Sequence, residues 1–260
     1  MNKYTLIKPE GGCGICGYIW QVIRAIYHNP NKNYYIDFDT CIYKDLNYVN
    51  TNVWDLYFDQ PAPKVNPVID QIEQTVGIIH DAQSEFRDVF MVNPTPVTIQ
   101  ETRNRFNNII TNYIKLNTRM LNIVKAYIDQ EFTGKQILGI HLRGTDHPDK
   151  QPIAHYMQHI KDMQYSYDKI FVATDEQSRF DTVKEIFGDK VIGYNSIKSN
   201  STASLHHVSK QQPGYQFKIA EDVIIEAYLL ANTQFLLCCP NSNVSYLSRA
   251  INPTLQCQSI

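Results

Sequence analysis

The sequence has no apolar run long enough to cross a bilayer. Its longest, VIIEAYLLA and FLLCC, fall well short of the ~20 residues a spanning helix needs, so no integral membrane segment is expected. The opening residues, MNKYTLIKPEGG, hold no basic stretch followed by an apolar one, so the chain reads as cytoplasmic, without a secretory signal. Surplus charge is missing too: 24 Lys+Arg against 26 Asp+Glu leave a net charge of −2. A broad phosphate-backbone binder needs a basic surplus, so nucleic acid is not an expected partner, while a pocket for one nucleotide is not excluded. The GxGxxG, P-loop, GxSxG and HExxH motifs are absent. Cys13 and Cys16 form a CxxC, but no second CxxC completes a zinc site. His155 and His159 are spaced as one helix face and lie too far along the chain to serve it. In a reducing compartment the six cysteines default to thiols. The CxxC then reads either as a redox pair or as two cysteines packed in a glycine-rich turn.

What is present is ordinary for a globular chain: 43% apolar and 19% charged residues over a length of 260. That length suits one large domain or two of roughly 100–150 residues. The 17 tyrosines stand out. Rings with polar tips suit stacking on sugars or bases, and a tyrosine-rich core gives the same count.

The segment KYTLIKPEGGCGICGYIWQVIRAIYHN runs from strand-like to glycine-rich to helical, with Ile19, Trp20, Ile23, Ile26 and Tyr27 at helical spacing. NYYIDFD follows as a β-rich run, giving a strand–loop–helix–strand unit. Residues 51–93 read as irregular, with a helix over Val68–Ile79. Thr98–Phe132 reads as one long amphipathic helix whose face carries Phe106, Ile109, Ile110, Tyr113, Ile114 and Leu121, ended by Gly134. Beyond it, strands (KQILGIHLRG, KIFVATDE, KVIGYNS, QFLLCCPNSN) alternate with helices (IAHYMQHIKDMQ, SRFDTVKEIFG, AEDVIIEAYLLANT, VSYLSRAI). This predicts a doubly wound, mostly parallel sheet in the C-terminal half, with a boundary near residue 133. The polar stretch between the third strand and the third helix reads as a long loop of the kind that often acts as a lid.

Ligands of such sheets bind beyond the carboxyl ends of the strands, where three polar clusters fall. Arg143 suits a bidentate grip on a phosphate, with Asp146 and Asp149 as candidate general bases, or Arg143 and Asp146 pair to fix their loop. Thr174 and Asp175 line the second strand end or cap the next helix. Ser242 and Asn243 open the last helix, where free N–H groups favour an anion, or they cap it. Asp37 and Asp39 resemble the DxD by which many glycosyltransferases hold a divalent metal.

Together these clusters resemble the α-1,6-fucosyltransferase and nodulation fucosyltransferase group. GIHLRGTDHPDKQPIAHYMQHI is similar to its donor motif, KIFVATDE to its second motif, and DVIIEAYLLANTQFLLCCPNSNVSYLSRAI to its third. GGCGICGYIWQVI and YYIDFDTCIY are similar to its N-terminal loop and following strand. The resemblance implies a GT-B-like α/β fold of two Rossmann-type halves. Residues 1–132 would form an N-terminal α/β domain with the glycine-rich loop on the acceptor side. Residues 133–260 would form the Rossmann-like, donor-binding domain. It implies an inverting, metal-independent transfer of fucose from GDP-fucose to a glycan acceptor, with no cofactor required. Carried over by position, Arg143 would hold the donor β-phosphate. Gly12, Cys13 and Gly14 would present backbone amides to the diphosphate and Tyr43 would contact it. His141 and Glu226 would bracket the guanine, Thr174 and Asp175 would line the nucleotide, and Ser242 and Asn243 would meet the phosphates.

Departures from the family pattern stand beside the likeness. Its second arginine is Gly144 here, and its acidic base has no clean counterpart, so Asp149 and then Asp146 stand in for it. The stem, accessory domain and membrane anchor of the animal enzymes have no counterpart, which reads as a minimal core of bacterial or viral kind. A transferase using another GDP-sugar, a metal-dependent DxD transferase and a non-catalytic nucleotide- or glycan-binding module are the alternatives.

Overall fold

The computed structural model describes residues 3–62, 68–74, 89, 97–144, 151–200, 205, 213–239 and 241–260. Strand β1 (Lys3–Lys8) leads through the glycine-rich loop into helix α1 (Ile15–His28) and strand β2 (Tyr34–Ile36). Strand β3 (Val68–Gln74) completes a three-stranded parallel sheet of order β2-β1-β3. Helices α2 (Val97–Tyr113) and α3 (Thr118–Tyr127) follow, and a π-helical turn over Ile128–Phe132 leads to Gly134 at φ +75°. Then come β4 (Ile137–Leu142), α4 (Ile153–Met163), β5 (Lys169–Thr174), α5 (Gln177–Phe187) and β6 (Val191–Ile192). The chain ends with α6 (Tyr215–Ala231), β7 (Phe235–Cys238), α7 (Asn243–Ile251) and β8 (Gln256–Ser259). These five strands form an all-parallel sheet of order β6-β5-β4-β7-β8. The α/β class and the parallel sheet expected from the sequence are therefore observed.

Every residue of β4 is buried, because β5 and β7 pair with both its edges and helices cover both its faces. Leu138, Ile140 and Leu142 pack with Tyr156 and Ile160 of α4 on one side. The other side joins a larger core that runs from Ile7, Tyr18 and Trp54 to Ile224 and Leu247. Helix α2 is tied to the end of α7, where Asn107 Nδ2 donates to the Ile251 carbonyl at 2.6 Å.

Several expectations are corrected. Val68–Gln74 is a strand and not a helix, because it supplies parallel partners to β1 from Lys3↔Val68 to Lys8↔Gln74. Val68, Ile69 and Ile72 fit helical spacing equally well. The long helix is two helices. Asp59 N donates to the Lys115 carbonyl at 2.9 Å and Asn117 N to that of Tyr57 at 3.0 Å, which breaks the chain between them. Asn117 then caps α3 by accepting the Met120 N–H at 3.0 Å. Leu121, expected on the buried face, is 54% exposed. The third strand of the second sheet shrinks to two residues, and β8 was not foreseen. Part of the polar loop proposed as a lid, residues 201–204 and 206–212, lies outside the described residues.

Candidate functional site

The order β6-β5-β4-β7-β8 reverses direction at β4. The chain moves outward from β4 through β5 to β6, then returns to the other side for β7 and β8. A crevice opens beyond the carboxyl ends at such a switch point, because successive connections leave on opposite faces. Here it lies beyond the ends of β4 and β7, and a cleft open to solvent occupies it. Gly14, Tyr43, His141, Arg143, Thr174, Asp175, Glu226 and Asn243 all line it. Residues up to 229 apart in sequence thus share one wall system.

Two helix N-termini meet there, since the first turns of α1 (Ile15, Cys16, Gly17) and α7 (Asn243, Val244) both line the cleft. Trp20 Nε1 donates to the Asn243 carbonyl at 3.2 Å and ties the two helices together. Gly17 permits the approach: a Cβ there would lie 2.8 Å from Cys13 Sγ and 3.4 Å from Asn243 Nδ2. The glycine-rich loop is itself fixed. Gln21 accepts from Glu10 N at 3.1 Å and donates back to its carbonyl at 2.9 Å, and the Tyr18 hydroxyl donates to the Gly11 carbonyl. The Tyr43 hydroxyl accepts the Ile15 N–H at 3.1 Å, so this buried tyrosine shapes the start of α1 as well as lining the cleft. Paired N-termini make a locally positive wall suited to an anion.

Strand β4 brings the polar floor. The His141 ring, 6% exposed, is oriented by a 2.7 Å hydrogen bond between Nδ1 and Ser245 Oγ of α7. Arg143 follows at the strand end with its Nε buried and without a hydrogen-bond partner among the described residues. A guanidinium atom stripped of water and given no acceptor marks where an anion would be stabilised. Gly144 explains the missing second arginine. Its N–H donates to Asp175 Oδ1 at 2.8 Å, and a Cβ would lie 2.6 Å from both Asp175 Oδ1 and Glu176 Cβ. No larger side chain fits unless both Asp175 and Glu176 move.

Glu226, on α6, is buried at 7% exposure and lines the same cleft. Burial pushes its carboxyl up to about 8, against the opposing pull of the Ser196 hydrogen bond and the Lys198 charge. The thiols of Cys13 and Cys16 are pushed up to about 12, chiefly by burial.

Three expected residues stand beside the cleft without lining it. Gly12 is exposed on the loop and Cys13 packs against α1, where its Sγ meets Gln21 Nε2 at 3.7 Å. Ser242 is fully buried at the α7 N-cap, and its Oγ has no partner among the described residues and makes no cap hydrogen bond. Asp146 and Asp149 lie outside the described residues. Asp37 and Asp39 line a separate hollow with Tyr35, Asn50, Thr51, Asn52 and Asp55, and Asp39 is ion-paired with Lys44. The sequence reasoning missed Ser196 and Lys198, which reach Glu226 from the segment after β6, and Ser245 beneath His141. The only sequence signal for the first two was their place in a polar loop at a strand's carboxyl end. It also missed the apolar lining from Leu205, Ile219, Val223 and Val244.

No helix among the described residues is long and apolar enough to cross a membrane. No protein-family model matches the sequence, and no curated protein does. Solved structures do share its architecture. The alpha-1,6-fucosyltransferase NodZ co-crystallised with GDP matches with a TM-score of 0.60 at 15% identity, over 96% of this chain and 92% of NodZ. Fucosyltransferase NodZ from Bradyrhizobium gives 0.60 at 16%, over 96% and 93%. A mutant of Arabidopsis thaliana FUT1 in complex with GDP gives 0.53 at 10%, over all of this chain and 70% of FUT1. With the sheet order and the cleft at the switch point, these matches show that the chain has the GT-B-like fold of the fucosyltransferases NodZ and FUT1.

Proposed function

We propose that the protein is a glycosyltransferase that transfers fucose from GDP-fucose to a glycan acceptor, with inversion and without a metal. One observation carries the reading: Arg143, His141, Glu226 and the N-termini of α1 and α7 converge on a single cleft at the switch point of the sheet. In the proposal, the five-stranded half (133–260) takes the donor and the half with the glycine-rich loop (1–132) faces the acceptor. The likeness to NodZ, solved co-crystallised with GDP and soaked with GDP-fucose, supports the choice of donor.

As the glycosidic bond breaks, the leaving nucleoside diphosphate gains negative charge. Arg143 and the positive N-terminal ends of α1 and α7 stabilise it, held in place before the reaction begins. Ser242 Oγ, buried at the start of α7 beside the cleft, would reach the same phosphates only if that N-terminal turn shifted. Glu226 accepts from guanine N1–H and N2–H₂, and His141, its ring fixed by Ser245, stands on the other side of the base. Asp175 fixes Gly144 N, which holds the Arg143 loop against β5. Asp149, or Asp146 in its place, is assigned the deprotonation of the acceptor hydroxyl. The metal-dependent reading is disfavoured by the position of Asp37 and Asp39, which line another hollow, with Asp39 held by Lys44.

Calorimetry with GDP in the presence of EDTA tests the donor site. Binding that persists with the chelator is expected, and binding that vanishes with it would overturn the metal-independent reading. Among the described residues Arg143 is the one Lys or Arg that lines the cleft, which favours one second reading, a nucleotide-sugar-binding module without turnover. Tight GDP-fucose binding, with neither transfer to a mixed glycan acceptor nor hydrolysis, would select it.

A further inference from the structure

The segment from Gly193 to Asn200, which follows β6, is fastened on both sides of the cleft. Ser199 N donates to the Asp175 carbonyl at 2.8 Å, and Gln177 N returns a bond to the Ser199 carbonyl at 2.9 Å. Ile197 N donates to Asp222 Oδ2 on α6 at 2.9 Å. Between these anchors the Ser196 hydroxyl donates to Glu226 Oε1 at 2.6 Å. Lys198 Nζ donates to Ser196 Oγ at 2.8 Å and sits 5.3 Å from the centroid of the Phe180 ring.

The direction of this chain is forced by chemistry. Once Glu226 is ionised, the ammonium group can only donate and the carboxylate can only accept, so Ser196 Oγ accepts from Lys198 and points its single proton at Glu226. Oε1 gives one lone pair to Ser196, and the carboxylate keeps the second lone pair of Oε1 and both of Oε2 for a ligand's paired donors. We propose that Ser196, backed by Lys198, is a positioning residue that holds Glu226 as an acceptor for the paired N–H donors of a guanine edge, and so sets base selectivity. The inference rests on the functional reading above and deepens it.

Glu226 is surrounded unevenly. Asp222 lies one turn earlier on α6, Asp175 and His141 share the cleft, and Cys16 of α1 and Tyr127 of α3 adjoin it. Lys198 is the cation that favours its charged form. With burial added, Glu226 holds its proton to about pH 8 in the empty cleft. Guanine N1–H and N2–H₂ need that proton gone, so GDP binding at pH 7 expels it. Affinity then rises with pH and levels off above 8. Removing the Ser196 donor weakens the charged form and moves this break upward.

The test is GDP binding by calorimetry from pH 6 to 9.5, in buffers of different ionisation heat, for the wild type, Ser196→Ala and Ser196→Thr. Inosine diphosphate, which lacks the 2-amino donor, is the comparison ligand. The wild type should release about one proton per GDP at pH 7. Ser196→Ala should bind GDP about tenfold more weakly at pH 7, the equivalent of one pKa unit, and approach the wild type by pH 9.5. Its preference for GDP over inosine diphosphate should shrink, and Ser196→Thr should restore both. A loss in Ser196→Ala that is equal at every pH, or no loss, overturns the inference while leaving the donor assignment standing. No GDP binding by the wild type at any pH overturns the donor assignment and this inference with it. Should Ser196→Ala fail to fold, Lys198→Met must shift the break in the same direction, and an unmoved break overturns the inference.

Discussion

The hollow around Asp37 and Asp39 and the main cleft both hold carboxylates, and they differ in almost everything else. Around Asp37 and Asp39 the acids are partnered at the surface: Asp39 pairs with Lys44, is 52% exposed on its side chain, and its own N–H donates to Asp37 Oδ1 at 2.8 Å. In the main cleft Glu226 is 7% exposed and Asp175 ties down Gly144, while Arg143 keeps a buried nitrogen without a partner among the described residues. A surface ion pair contributes between zero and about 1 kcal/mol and leaves nothing unsatisfied. A buried, unevenly partnered set stores interaction energy that a ligand can complete. The DxD spacing is therefore the weaker signal, although it matches a known motif more plainly.

The largest test of this contrast is Arg143→Ala. If the leaving diphosphate depends on it, kcat for GDP release from GDP-fucose should drop by 10²–10³, about 3–4 kcal/mol, by analogy with loss of one preset oxyanion donor. Asp39→Asn should leave kcat within about twofold, as expected for loss of an exposed pair. Equal losses in the two variants would erase the distinction between the hollows.

Gly144→Ala comes next. The new Cβ would meet Asp175 Oδ1 and Glu176 Cβ at 2.6 Å, so the strand-end turn must shift. A cost of about 1–3 kcal/mol is expected, read as a lower thermal midpoint, with weaker GDP binding because Asp175 and Arg143 share that turn. A variant as stable as wild type would mean that the position has room and that the absent second arginine has some other cause.

The same contrast explains what the sequence made legible. The alternation of β and α after residue 133 follows from burial on both faces of a parallel sheet, which forces continuous apolar strands such as ILGIHL. Arg143 and Asn243 were readable from their places at a strand end and a helix start, whereas His141 and Glu226 came only through the family resemblance, and all four line the cleft. What failed was set by distant partners. Val68–Gln74 became a strand because β1 needed a neighbour. The helix broke before Asn117 because the Tyr57–Asp59 backbone claimed Lys115 and Asn117. The polar β8, QCQS, carries little apolar pattern of its own and forms by pairing with β7. Ser196 acts through a side chain 30 residues away, and Ser245 through one 104 away, so neither carries a local motif.

A smaller effect follows from Glu226 without ligand. It keeps its proton in the fold to about pH 8, whereas an unfolded glutamate releases it near ~4.3. Between these values the folded chain binds the extra proton, so stability falls as pH rises, by at most about 1.4 kcal/mol per pH unit for one group. Asp222, also raised by burial, acts in the same direction. Glu226→Gln has no proton to lose there, so its thermal midpoint should decline less between pH 5 and 8. An unchanged decline would place the titrating group elsewhere.

The smallest expected effect concerns the CxxC, where the cleft's own rim behaves like ordinary packing. Burial pushes the thiols of Cys13 and Cys16 up to about 12, so thiolate is scarce at neutral pH, and thiolate is the reactive form. Neither cysteine is in a disulfide, and Cys13 serves as a neighbour of Gln21 and Gly17 in the loop that carries α1. A redox pair would need at least one thiol shifted the other way. Cys13→Ser should therefore leave GDP affinity and turnover within about twofold, since a serine keeps the contact with Gln21. Iodoacetamide at pH 7.5 should label Cys13 slowly and without loss of GDP binding. Rapid labelling that abolishes binding would instead put a reactive thiol at the diphosphate end of the cleft, and the loop would have a chemical role as well as a geometric one.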